Sequence, residues 1–162
     1  MTPEAEVQRL RDAWRECRRH AHHMDHALAA LHPYLPLTGE QLSALDDEVV
    51  QDLDQFVLRF GKLQDAIGTR LLPAVLGYLQ EPYEDRPMRD KLNRLEKLGY
   101  LERAEEWQEL RAIRNRFAHE YPDDPAKNAA LLNLAIDASD SLKGLLARIE
   151  EKVQAAGLDR RQ

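Results

Sequence analysis

The segment Arg114-Asn115-Arg116-Phe117-Ala118-His119-Glu120-Tyr121 puts a permanent cation, an imidazole and a phenol in close succession. A guanidinium keeps its charge at physiological pH and donates to phosphate oxygens in a planar fork. An imidazole takes or returns a proton near neutrality. The pair suits chemistry at phosphorus: Arg114 would brace charge that builds on phosphoryl oxygens, and His119 would move the proton. Asn115 and Arg116 add donors that can reach a phosphate, and Tyr121 adds a hydroxyl. The same residues have a plainer account. An arginine can tie two helices together, a histidine can complement a helix C-terminus, and a tyrosine can close a turn.

Trp107, Leu110, Arg114, Phe117 and Tyr121 are spaced by three, four, three and four residues, so they form one stripe of a helix expected over about 103–121. Arg114 therefore falls where an apolar residue belongs. A charge lodged there needs a partner. The candidate is Asp65, which lies between Gly61 and Gly68 on a second face of another helix, where small residues permit close approach. Residues five apart on a helix are about 140° apart around the axis, so Arg114 and His119 do not share a face. Either the long arginine wraps round, or a second subunit completes the histidine.

The elements that hold these groups read as helices throughout. Val7, Leu10, Trp14, Cys17, Ala21, Met24, Leu28 and Leu31 keep a three–four spacing between Thr2 or Pro3 and Pro33. Residues 32–44 read as a loop. Asp46, Asp47 and Glu48 open a helix to about Leu79, with Val49, Leu53, Phe56, Phe60, Leu63, Ile67 and Leu71 inward and a kink expected at Pro73. After the loop 80–87, Asp85 is the expected cap of a helix carrying Met88, Leu92, Leu95 and Leu98, which Gly99 ends. Pro122-Asp123-Asp124-Pro125 breaks the Arg114 helix. A last helix over about 126–155 turns Leu132, Ile136, Leu142, Leu145, Ile149 and Val153 inward. The expectation is an all-α, antiparallel up-and-down bundle of four to five helices, one domain over residues 1–156 with a fraying tail at 157–162.

Composition narrows the function classes. The net charge of −6 argues against broad nonspecific duplex binding, although residues 81–121 hold nine Lys/Arg against ten Asp/Glu and leave room for a local cationic cleft. Cys17 is the only cysteine, so neither an intramolecular disulfide nor a cysteine zinc site is open to the chain. No apolar run approaches the ~20 residues that span a bilayer, and the Arg- and Glu-rich start does not resemble a signal peptide, so a cytoplasmic protein without a membrane partner is expected. His22 and His26 have the spacing of two-point metal ligation. No third ligand accompanies them, and no metal or other cofactor is expected. His20, His22, His23, His26 and His32 are read as exposed flanks of the first helix, where Arg15, Arg18 and Arg19 add positive charge.

Arg114-Asn115-x-x-x-His119-x-Tyr121 at a helix end, in an all-helical chain of this length, resembles the HEPN superfamily. The added His-x-Tyr is similar to HepT-like toxins that pair with minimal nucleotidyltransferase antitoxins. R-x4-H alone also occurs at Arg15–His20 and Arg18–His23, but only the third copy has the asparagine, the tyrosine, the seam position and the proline stop. The resemblance implies a HEPN-like bundle and a metal-independent endoribonuclease that acts on RNA as a homodimer, with the two motifs meeting in a cleft. It implies catalytic roles for Arg114 and His119, support from Asp65, Asn115 and Arg116, and AMP transfer by the antitoxin onto Tyr121 (AMPylation). Added anionic bulk there would block RNA. A different class also fits the residues: a non-catalytic helical partner of a nucleotidyltransferase that binds nucleotide or substrate in the same cleft.

Overall fold

The computed structural model describes residues 2–117 and 121–157. Helix α1 is Pro3–Leu31, capped by the Thr2 hydroxyl on the Ala5 amide and started by Pro3 at its first position. A 3-10 turn, His32–Tyr34, leads to α2, Gly39–Ala44. Then come α3, Asp47–Ala66; a π-helical turn, Ile67–Leu71; and α4, Leu72–Tyr78. The chain closes with α5, Met88–Lys97, α6, Ala104–Arg116, and α7, Pro125–Ala155. The class is all-α, with no strand among the described residues.

Cross-helix pairs fix the directions. Glu6 lies against Gly77, Glu16 meets Arg70 and His20 meets Arg59, so α1 runs antiparallel to α3 and α4. Asp25 meets Lys143 and Arg18 meets Glu150, so α7 runs antiparallel to α1. Packed against α3, the π-helical turn and α4, α1 buries more than one row. Leu10, Ala13, Cys17, His20, Met24, Ala27 and Leu31 form the innermost line, while Trp14, Ala21 and Leu28 are only partly buried. His20 is thus buried, against the expectation that it lies exposed. The α3 stripe is as expected: Phe56, Phe60, Leu63, Ile67 and Leu71 are fully enclosed.

Several boundaries differ from the sequence expectation, each for a local reason. The stretch 32–44 is not all loop, because Thr38 and Gln41 make a reciprocal capping box that starts α2. Gly39 sits where a Cβ would lie 2.7 Å from the Ala126 backbone nitrogen, so α2 can abut the start of α7. The single helix expected over 46–79 is interrupted. Pro73 has no N–H to donate four residues back. The chain widens just before it, and Leu72 N–H donates to the carbonyl of Ile67, five residues back. Asp85 does not cap α5, and Pro87 takes that position. Gly99 ends α5 at φ +86°, with Gly99 N–H on Glu96 O and Tyr100 N–H on Leu95 O. Glu96 Oε1 also accepts from Ala104 N–H at 2.9 Å and so caps α6 from a neighbouring element.

The α3–α6 contact depends on one of the two glycines. A Cβ at Gly68 would fall 2.8 Å from Cζ2 of the buried Trp107, whereas one at Gly61 would stand an ordinary 3.7 Å from Nε of Arg114. Gly68→Ala should therefore cost about 1–3 kcal/mol through overpacking. Gly61→Ala should be neutral or should stabilise by up to about 1 kcal/mol through helix propensity. Denaturant melts of the two variants check this, and equal effects would contradict the asymmetry.

Candidate functional site

Asp65 is in the last turn of α3, two residues before the π-helical turn. Its carbonyl accepts from the Thr69 hydroxyl at 2.6 Å, across the start of that turn. Opposite it runs α6, antiparallel: Gly68 faces Trp107, Asp65 faces Arg111 and Arg114, and Gly61 faces Arg114. Trp107 and Leu110 bury the middle of α6. Gln64, fully buried beside Asp65, donates its Nε2 to the Leu110 carbonyl at 3.0 Å. Phe117, the C-cap residue, sets its ring edgewise to Phe60, centroids 6.3 Å apart. These contacts fix the C-terminal turn of α6 against α3.

Arg114 is neither swallowed by the core nor loose in solvent. Its Nη2 donates to Asp65 Oδ2 at 2.9 Å, and 35% of its side chain remains exposed. The structure thus brings Asp65 and Arg114 together. It adds a residue that the sequence reading passes over: Arg111 Nη1 donates to the other carboxylate oxygen, Oδ1, at 2.9 Å, with 31% of its side chain exposed. One carboxylate therefore holds two guanidiniums, and the trio carries a net charge of about +1. Each arginine spends one N–H on Asp65 and has four others to offer. The signal for Arg111 was present in its spacing, one turn before Arg114 on the Asp65-facing side. The apolar stripe, which skips from Leu110 to Arg114, hid it.

The other candidates fall around this trio. Asn115 and Arg116 are exposed on the last turn of α6. His119 lies outside the described residues, as do residues 158–162 of the tail. Tyr121 does not extend the helical stripe, because the helical part of this segment ends at Arg116 instead of about 121. Tyr121 belongs to the turn into α7: its carbonyl accepts from Asp124 N–H at 3.1 Å and from Asn128 Nδ2 at 2.8 Å. Its ring, partly buried, carries the Lys127 ammonium 4.2 Å from the centroid. Asp124 caps α7 by accepting from Lys127 N–H, which fixes that lysine beside the ring.

The remaining Arg-x4-His copies are built differently. Arg15 pairs loosely with Asp12 and Arg18 with Glu150, both well exposed. His20 takes its arginine from another helix: Arg59 Nη1 donates to His20 Nδ1 at 2.9 Å, leaving Nε2 to carry the ring proton 3.6 Å from Glu16 Oε1. Arg70 completes the row on Glu16 Oε2 at 2.9 Å. Burial and then the Arg59 charge push the His20 imidazole below its ordinary pKa, only partly offset by Glu16. Partial desolvation and the neighbouring Arg59 and His22 lower His23 as well. Burial pushes the Cys17 thiol up to about 12, which makes it a poor nucleophile. Among the described residues no group of three or more His, Cys, Asp or Glu is arranged to hold a metal ion, and His22 and His26 gain no third ligand. No helix there is long and apolar enough to cross a membrane.

A lowered histidine pKa makes folding sensitive to acid. Below the ordinary value of 6.5 the unfolded chain binds a proton that folded His20 resists. Stability is therefore complete at neutral pH and declines as pH drops through 6.5 toward the depressed folded value. Thermal melts from pH 7.5 to 5.5 should show that decline, and His20→Gln should flatten it. An unchanged slope in the variant would contradict the role given to His20.

No protein-family model, curated protein or solved structure matches this chain.

Proposed function

We propose that the chain is a HEPN-like, toxin-type endoribonuclease that works without a metal ion. Arg114 carries the reading. Its guanidinium is held at 2.9 Å by Asp65 while a third of the side chain stays open to solvent, in the turn that leads to His119. A purely structural ion pair gains little from such exposure, since surface pairs contribute about 0–1 kcal/mol. An anion-binding arginine requires it.

In the proposed reaction the RNA 2′-oxygen attacks the adjacent phosphorus and loses its proton. The P–O5′ bond breaks, leaving a 2′,3′-cyclic phosphate and a 5′-hydroxyl that has gained a proton. Arg114 braces the negative charge on the non-bridging oxygens. His119 moves the proton. Asp65 orients Arg114, and Asn115 and Arg116 contact the RNA backbone from the exposed end of α6. Two copies related by a twofold axis would set one motif opposite the other in a single cleft, which answers the angular separation of Arg114 and His119 along a helix. Tyr121, beside the Lys127 ammonium, is the proposed acceptor of AMP from a cytoplasmic nucleotidyltransferase antitoxin. The lysine would attract the nucleotide's phosphates, and the added negative charge would then repel RNA.

The test uses purified protein, EDTA and a mixed RNA pool. Wild type should cleave and yield cyclic-phosphate ends. His119→Ala should lose about 10²–10⁴ in rate and Arg114→Ala about 10²–10³, with unchanged circular dichroism melts. Cleavage by His119→Ala at the wild-type rate would remove His119 from the chemistry. Wild type that leaves RNA intact yet binds a nucleotidyltransferase would make the chain a non-catalytic partner instead.

A further inference from the structure

The Arg111–Asp65–Arg114 trio has one cation more than the proposed chemistry at a single phosphate uses. Packing does not account for the extra one. The α3–α6 contact is already made by Trp107 seated over Gly68, by Leu110, by the Gln64–Leu110 hydrogen bond and by Phe117 against Phe60. A second, one-third-exposed ion pair on the same carboxylate adds little to that. Among the described residues neither guanidinium meets a second carboxylate within ion-pair distance. The trio is thus locally cationic on a chain whose net charge is −6.

Geometry separates what the two arginines can reach. Each donates to a different oxygen of Asp65, so the carboxylate acts as a strut between them. Along α6 they start three residues apart, a rise of about 4.5 Å. One phosphate centred on Arg114 leaves the other four N–H groups of Arg111, on a side chain 31% exposed, free for a neighbouring phosphate. We propose that Arg111 is a second phosphate-binding residue, which grips the RNA phosphate flanking the one that Arg114 braces. It would set substrate grip and length preference and take no part in bond breaking. This rests on the ribonuclease reading above and adds the requirement that the substrate carry at least two successive phosphates at the site.

Binding of oligouridylates with 2′-O-methyl groups, which lack the attacking hydroxyl, tests the proposal without cleavage. A dimer has one internucleotide phosphate and a decamer has nine. Affinity is measured across a salt series for wild type, Arg111→Ala, Arg111→Lys and Arg114→Ala. For the decamer, Arg111→Ala should weaken binding about tenfold, as loss of a charged hydrogen bond implies. It should also lower the slope of log affinity against log salt by about 0.7, the share of one single-strand phosphate contact. The dimer should change less than twofold, and Arg111→Lys should keep the wild-type slope. Arg114→Ala should weaken both ligands. Equal losses on dimer and decamer, or an unchanged salt slope, would overturn the proposal and leave Arg111 as a residue that only positions Asp65. Wild type that binds neither ligand would overturn the ribonuclease reading and this proposal with it.

Discussion

The candidate site is organised by one carboxylate shared between two arginines across a close helix contact. Asp65 fixes Arg111 and Arg114 at 2.9 Å each, and it can do so only because α6 lies close enough to α3 for short, well-aligned bonds. That closeness comes from Gly68, whose missing side chain leaves the space that Trp107 fills. Packing thus sets the electrostatics. A wider spacing would leave Arg114 free to sample many rotamers, at odds with the fixed position that the proposed phosphate contact needs.

The rest of the fold serves that contact. The π-helical turn starts two residues after Asp65 and absorbs the backbone cost of Pro73, so α3 can finish as a regular helix through Asp65 and α4 can continue beneath α1. Glu96 caps the start of α6 and Gln64 clamps its Leu110 carbonyl, so the element that carries both arginines is held along its length. Behind α3, the Arg59–His20–Glu16–Arg70 row ties it to α1 through a polar seam in an otherwise apolar interface. That seam pairs an arginine with a histidine. Its histidine is buried, and its pKa is pushed down by burial, features that suit structure more than substrate binding.

Much of this was legible in the sequence because periodicity reports burial. Spacing reads the α3 stripe from Val49 to Leu71 and, apart from Ile136, which is only partly buried beside the buried Ala135 and Ser139, the α7 stripe, and the two glycines around Asp65 point to the face that meets α6. What spacing did not reveal has physical reasons. The surface that α3, the π-helical turn and α4 present to α1 is broader than one seam, so Ala13, His20 and Ala27 stand at the centre of α1 in place of Trp14, Ala21 and Leu28. Arg59 reaches His20 from a residue 39 positions away, a pairing that local motif spacing cannot contain. Arg111 was missed because an apolar-stripe argument counts hydrophobic positions and passes over a cation beside them. The end of α6 was misjudged because Pro122 marks a limit beyond which a helix cannot run, while the actual end is set earlier, where Phe117 caps α6 against Phe60.

In the proposed reaction Asp65 acts on the bond-breaking step only through Arg114, its hold on Arg111 serving substrate grip. A double-mutant cycle on RNA cleavage measures this directly. With RNA saturating, so that grip by Arg111 does not limit the rate, Asp65→Asn should slow cleavage in the wild-type background and have no further effect when Arg114 is already alanine. Losses that simply add, with Asp65→Asn costing as much without Arg114 as with it, would contradict the account.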